Sequence, residues 1–172
     1  EKLAVPAQKG GLRWEGKSER RGRIVPDGDG VGLYSGNAGI GLFLMHLSMA
    51  SGEKRFRKTA EAAFERILKE GTRDKEGLRW VYELQDIIGG EAGIGLALLE
   101  MYRLTKNDAY RVAADEAGQW LLSRATRDAE GVRWTTYGSL DPNFSHGTAG
   151  IAFFLSALKG PDGRINLPGF YD

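Results

Sequence analysis

Gly89-Gly90-Glu91-Ala92-Gly93-Ile94-Gly95 is the stretch whose reading decides the fold, because the chain repeats it. Ser35–Gly41 reads SGNAGIG and His146–Ala152 reads HGTAGIA, and each of the three phrases opens an apolar run of helical length. One phrase recurring at a fixed spacing is the signature of a stacked helical array.

The repetition extends well past the phrase. Placing Gly36 on Gly90, an offset of 54 residues, also places Phe56 on Tyr110, Ala60 on Ala114, Ala63 on Ala117, Ile67 on Leu121, Leu68 on Leu122 and Trp80 on Trp134 without a gap. TRDKEGLRW (Thr72–Trp80) becomes TRDAEGVRW (Thr126–Trp134), and GGLRW at Gly10–Trp14 is a third relative ahead of the first unit. The connection from Trp134 to Gly147 is three residues longer than that from Trp80 to Gly90, so the third phrase follows the second by 57 residues. That insertion brings in SLDPNFSH.

Each unit divides into two helices and a turn. The glycines and alanine of Gly36–Gly41 leave room for another backbone to approach, and Leu42, Phe43, Leu44, Met45 and Leu47 are apolar on nearly every face, which predicts a buried inner helix. Ser51-Gly52 fits a helix stop, after which Lys54–Glu70 places Phe56, Ala60, Ala63, Phe64, Ile67 and Leu68 at helical spacing with Lys, Arg and Glu opposite. This predicts an outer, half-solvated helix. The second unit repeats the arrangement, with Gly90–Leu104 inside, Asp108–Arg124 outside and Asn107 or Asp108 as N-cap. Thr-Arg-Asp-x-Glu-Gly followed by Leu/Val-Arg-Trp is too short and too β-rich for a helix, and predicts a small extended or hairpin connection that hangs a Trp back onto the helix pair. The fold expected is therefore all-α, a stack of inner and outer helix pairs. It forms one domain over residues 1–172 with repeats near 31–80, 85–134 and 142–172.

Composition narrows the function classes. Hydrophobic residues make up 41% and charged residues 27% of the chain, with a formal net charge of +1, and Lys and Arg alternate with Glu and Asp along the outer helices. That is the pattern of a solvated face, and it makes no electrostatic case for nucleic acid. The apolar runs are too short and glycine-rich to span a bilayer, and EKLAVPAQKGG has no apolar signal-peptide core, so a cytoplasmic location is the default expectation. With no cysteine, the chain offers no disulfide, thiolate nucleophile or thiolate metal ligand. The glycine phrases do not fit Gly-x-Gly-x-x-Gly in a strand-turn-helix unit, which excludes dinucleotide binding. Helix pairs bury their sides only by stacking, so an open stack leaves both ends apolar. Starting at Glu1 and stopping just after a third inner helix, the chain reads as a piece of a longer protein. The remaining repeats, or a second copy, are expected to cover its ends.

The Gly-x-Ala-Gly-Ile openings, QDIIGGEAGIGLALL (Gln85–Leu99) and PNFSHGTAGIAFFL (Pro142–Leu155) together resemble the lanthionine synthetase C-like proteins, over most of residues 31–158. These are the cyclases, or cyclase domains, of lanthipeptide biosynthesis and their eukaryotic relatives. The resemblance implies an α/α toroid of inner and outer helices whose glycine-rich loops face a central cavity, of which this chain is expected to be a partial or half toroid. It implies addition of a peptide cysteine thiol to dehydroalanine or dehydrobutyrine, giving a thioether ring on a dehydrated precursor peptide. Many members hold zinc through two Cys and one His in later repeats. Since this chain has no Cys, it is expected to hold no cofactor of its own, to depend on residues beyond it for any zinc, and not to be active alone.

Two residues carry over by position. Asp86, four residues before Gly90, matches the acidic residue ahead of the family's second glycine loop, and His146 matches the histidine of its Ser/Ala-His-Gly loop. The addition needs a proton taken from sulfur and one delivered to carbon, work suited to an imidazole that a carboxylate orients. Each residue also has a plainer reading: His146 as a helix-entry cap, Asp86 as a turn residue or a charge favouring the next helix dipole. His46, within LFLMHLSM, is expected to be a hydrogen-bonded core histidine, and Trp14, Trp80 and Trp134 to be packing residues. Two readings stand beside the cyclase: a non-catalytic peptide- or protein-binding toroid module, and a carbohydrate-active toroid with Asp86 and Asp141 as its carboxylate pair.

Overall fold

The computed structural model describes residues 4–14, 16–20, 23–27, 30–81, 84–136, 138–160, 162–165 and 167. The expected end of the third repeat, at 168–172, lies outside the described residues. The described chain is mostly helical, with α1 (Asn37–Ser51), α2 (Lys54–Glu70), α3 (Glu91–Thr105), α4 (Asp108–Ser123) and α5 (Thr148–Ala157). Four two-stranded antiparallel hairpins accompany them: β1 with β2 (Ala4–Pro6, Leu12–Trp14), β3 with β4 (Gly16–Arg20, Arg23–Asp27), β5 with β6 (Thr72–Asp74, Gly77–Arg79) and β7 with β8 (Thr126–Asp128, Gly131–Arg133). The all-α label needs that correction. The β3–β4 hairpin lies ahead of the first unit, where no repeat announces it, and pairs Gly16 with Asp27 and Arg20 with Arg23.

The 54-residue offset holds in detail. Thr72 pairs with Arg79 and Asp74 with Gly77, and one repeat later Thr126 pairs with Arg133 and Asp128 with Gly131. Both turns need glycine, because Gly77 has φ +130° and Gly131 +127°. The Trp80 indole N–H donates to the Ile67 carbonyl at 2.6 Å and that of Trp134 to the equivalent Leu121 carbonyl at 2.7 Å, so each hairpin hangs its tryptophan on the helix before it. Asn107 is the N-cap of α4, accepting from the Ala109 amide at 3.1 Å. Gly52, with φ +73°, ends α1, and Lys106 does the same for α3 at φ +60°.

The glycine phrase serves the loop in front of it. The loop folds back across the helix start, so that the first helical amides of Asn37, Glu91 and Thr148 donate to the carbonyls of Gly30, Leu84 and Asp141, each seven residues earlier. These bonds satisfy N–H groups that a helix start otherwise leaves unpaired. They also press backbone on backbone: a Cβ on Gly39, Gly93 or Gly150 would lie 2.0 Å from the carbonyl oxygen of Leu33, Ile87 or Phe144.

Outer helix α2 buries Ala60, Ala63, Phe64 and Ile67, and the Phe64 ring lies so close to α1 that a Cβ on Gly41 would be 2.7 Å from it. Phe64 also meets Tyr110 of α4 edge to face at 5.7 Å. Burying an aromatic or branched side chain of this kind contributes about 1.5–3 kcal/mol. In α4 the residue equivalent to Phe64 is Gly118, and Leu155, Leu158 and Leu167 close on it instead. Inner helix α3, packed between α1 and α5, buries Ala92, Ile94, Ala97, Leu98 and Met101. At the ends of the stack, where an open array leaves apolar helix sides uncovered, Phe43 and Met49 of α1 and Phe153 of α5 are exposed. Among the described residues, α1 and α5 each pack against an inner helix on one side only. No described helix is long and apolar enough to cross a membrane.

Candidate functional site

The second and third fold-back loops meet beside the start of α3. Asp86, in the second, is fully buried, and its Oδ1 accepts the amides of Gly89 at 2.9 Å and Gly90 at 3.1 Å. Asn143, its equivalent 57 residues later, braces the third loop in the same way, its Oδ1 accepting the His146 amide at 2.7 Å. Asp86 therefore has the turn role open to it from sequence, and a second one besides. Its Oδ2 accepts from His146 Nδ1 at 2.7 Å, joining residues 60 apart in the chain.

With the carboxylate oxygen as acceptor, Nδ1 donates toward Asp86, and Nε2 is the ring nitrogen turned away from that contact. Asp86 holds the ring, while the backbone that carries it is held by Asn143 on the His146 amide and by the Thr136 hydroxyl, which donates to the His146 carbonyl. The His146 side chain is 45% exposed, while that of Asp86 is not exposed at all. Phe144, on the same loop, stacks edge to face with Phe153 of α5 at 5.4 Å, and both rings are half exposed.

One repeat earlier the same junction is bare. Gly32 and Gly89 are the counterparts of Asp86 and His146 at offsets of 54 and 57 residues, and a Cβ on Gly32 would lie 2.9 Å from the Gly89 Cα. The stacking of loop on loop is thus built into the repeat, and the second junction adds a carboxylate and an imidazole to it.

Other candidates fall elsewhere. Asp141 Oδ1 accepts the Asn143 amide at 2.9 Å, so it braces its own loop while Asp86 serves His146. The core reading of His46 is corrected: it is exposed, with Nε2 3.4 Å from Glu100 Oε1 of α3. The Arg103 guanidinium, hydrogen-bonded to both Glu100 oxygens at 2.7 Å, holds that carboxyl below its usual range. Trp14, Trp80 and Trp134 pack with the core as expected.

Sequence reasoning missed Glu91. It is fully buried at the first position of α3, with Oε1 accepting the amides of Trp80 and Val81 at 2.9 Å each and Oε2 without a hydrogen-bond partner. Burial pushes its carboxyl up to about 7, against the opposing pull of those amides and of Arg79. The signal was the x of Gly-x-Ala-Gly, polar in all three copies as Asn37, Glu91 and Thr148.

The donor set does not fit a thiolate-held zinc. There is no Cys in the chain, and the described residues contain no group of three or more His, Asp or Glu side chains arranged to hold a metal. A cavity of about 640 Å³ beneath the first hairpin is lined by Lys9, Arg13, Arg66 and Glu70 and lies apart from Asp86 and His146. A scan against protein-family models found no match, and a search of curated proteins found none either.

Proposed function

We propose that the chain is an arc of an α/α toroid of the lanthionine synthetase C-like type, a cytoplasmic cyclase segment acting on a dehydrated precursor peptide. The observation that carries this reading is the 2.7 Å contact from His146 Nδ1 to buried Asp86, which leaves a half-exposed, carboxylate-oriented imidazole on a glycine loop. In the reaction, Nε2 takes the proton of a peptide Cys thiol and the sulfur adds to the β-carbon of dehydroalanine or dehydrobutyrine. The alkene electrons move onto the neighbouring carbonyl as an enolate, and the imidazolium returns its proton to the α-carbon. One proton leaves sulfur and one reaches carbon, so the ring closes without an oxidant or reductant. The Phe144–Phe153 pair, with Phe144 on the same loop as His146, offers the peptide an exposed apolar contact.

The exposed apolar side chains of α1 and α5 support completion of the arc by further repeats or by a second copy. A non-catalytic peptide-binding module is the second reading, favoured by the same exposed ring pair. A carbohydrate-active site is disfavoured, because Asp86 and Asp141 each brace a different loop. The test is mass spectrometry of a dehydrated, Cys-containing peptide after incubation with the polypeptide that carries these repeats, with an alkylating reagent counting free thiols. Ring formation above the protein-free control is expected. Peptide binding with every thiol still free would replace the cyclase with the binding module.

A further inference from the structure

We infer that Thr136 is a positioning residue for His146, and that an insertion in the third repeat builds the strut on which it stands. The link to cyclisation rests on the reading proposed above, whereas the positioning itself is read from the imidazole. The repeats differ in the stretch between hairpin and fold-back loop. Counted forward from Trp80 and Trp134, and back from Gly90 and Gly147, residues 136–140 occupy the place of residues 82–83. The three extra residues therefore fall beside Thr136, in the repeat that carries the imidazole. The second repeat has Gly89 at the position of His146 and no ring to aim.

The insertion closes on itself. The Thr136 amide donates to the Ser139 carbonyl and the Ser139 amide to the Thr136 carbonyl, both at 2.9 Å, and Gly138 with φ +73° turns the chain between them. Both main-chain polar groups of Thr136 are engaged there, and its side chain reaches elsewhere: buried, at 2% exposure, the hydroxyl donates to the His146 carbonyl. The residue two places earlier is anchored on two helices. Trp134 is buried, with its indole N–H on the Leu121 carbonyl of α4 at 2.7 Å and its amide on the Thr148 hydroxyl of α5 at 3.3 Å. Thr136 thus meets His146 from a support that the outer helix holds.

That support acts on a group the helix leaves out. Gly147 is the N-cap of α5 and its carbonyl accepts the Ile151 amide, so the helical ladder starts one residue after His146. Fixing the orientation of a residue's amide and of its carbonyl restrains φ and ψ, and with them the direction of the Cα–Cβ bond. For His146, side chains do both, Asn143 at the amide and Thr136 at the carbonyl. The Asp86 contact, between residues 60 apart in the chain, then has only the side-chain torsions left to set. A displacement of about 1 Å at a reacting group costs on the order of 100-fold in rate, which is the scale of what such bracing protects.

The test reads the ring itself by NMR, on the 172-residue chain, where His46 and His146 are the only histidines and His46→Asn identifies the signals of His146. The nitrogen shifts of a neutral imidazole, recorded at high pH, show which nitrogen carries the proton. The Asp86 contact is expected to hold it on Nδ1, against the Nε2 form that a free imidazole favours. Thr136→Val keeps the shape and removes the hydroxyl, and should return the ring toward the Nε2 form. Thr136→Ser keeps the hydroxyl and should restore Nδ1. Ser139→Pro, at an exposed position, removes the amide that closes the strut and gives a second reading should Thr136→Val fail to fold.

In the polypeptide that carries these repeats, Thr136→Val should lower kcat for cyclisation by about 10- to 100-fold and leave KM for the dehydrated peptide within about twofold, with most of the loss recovered in Thr136→Ser. A parent ring protonated on Nε2 would overturn the proposal. So would a folded Thr136→Val or Ser139→Pro chain that keeps the parent's Nδ1 form, or a loss in Thr136→Val that Thr136→Ser does not repair. A ring that responds as expected in a polypeptide that closes no thioether would end the cyclase reading and leave Thr136 positioning His146.

Discussion

Asn37 and Glu91 occupy the same place in successive repeats and reach the hairpin ahead of their helix with opposite hydrogen-bonding roles. The Asn37 side-chain amide donates to the Leu12 carbonyl at 2.6 Å, whereas Glu91 Oε1 accepts from the amides of Trp80 and Val81. Thr148 holds the third position, its hydroxyl oxygen accepting the Trp134 amide at 3.3 Å. The first residue of each inner helix thus ties down the hairpin that precedes it. Asn37 fills its acceptor with Arg66 at 2.9 Å. Glu91 has no such partner for Oε2, and a buried carboxyl in that state holds its proton.

Glu91 should make stability fall as pH rises. Its carboxyl is raised from 4.5 to about 7 in the fold, so between those values the folded state binds more protons than the unfolded chain. Stability is full below about 4.5, is lost through the window up to about 7 and is level above it. The loss is on the order of 3 kcal/mol at most. Glu91→Gln keeps an oxygen for the Trp80 and Val81 amides and has no proton to lose. Urea unfolding from pH 4.5 to 8 should show the slope in the parent and a flatter profile in Glu91→Gln, and equal slopes would refute the assignment.

The fold-back loops predict opposite outcomes for two neighbouring glycines. Gly93→Ala sets a methyl 2.0 Å from the Ile87 carbonyl oxygen, which only a shift of the whole loop can relieve. About 3 kcal/mol or more of stability should be lost, outweighing any gain in helix propensity of about 1 kcal/mol. Gly89→Ala places its methyl 3.8 Å from Leu84, an ordinary contact, and should change stability by less than about 1 kcal/mol. Thermal melts of the two variants decide the matter, and similar losses would show that the helix start is not packed this way.

What sequence could convey was local. The spacing of Phe56, Ala60, Ala63, Phe64 and Ile67 gives α2 its bounds, and the TRD-x-EG phrase its hairpin, because both patterns are set by neighbours in the chain. The fold-back over each helix start was only half legible, since the glycines announce a close approach without naming what approaches. His46 misled because its surroundings are apolar on every side of the helix, and no periodicity tells which side is exposed. The meeting of Asp86 with His146 depends on how two repeats stack, although the touching pair Gly32 and Gly89 shows that the stacking itself repeats.

The two tasks of Asp86 can be separated, and their separation tests the chemistry proposed for His146. Oδ1 braces the loop, work that Asn143 performs one repeat later with an amide, so Asp86→Asn should fold with a nearly unchanged unfolding midpoint. At Oδ2 the substitution matters, because an amide N–H₂ cannot accept from His146 Nδ1. In the polypeptide that carries these repeats, His146→Ala should lower cyclisation by about two to four orders of magnitude, the scale of a general acid-base group. Asp86→Asn should lower kcat while leaving binding of the dehydrated peptide close to unchanged, a split that a merely structural role would not produce. The double variant should be no slower than the product of the single effects and is expected to lie near His146→Ala alone, since the carboxylate acts through the ring. Losses that multiply would make the two residues independent. Full ring formation by His146→Ala would remove the imidazole from the reaction and leave Asp86 only its loop to hold.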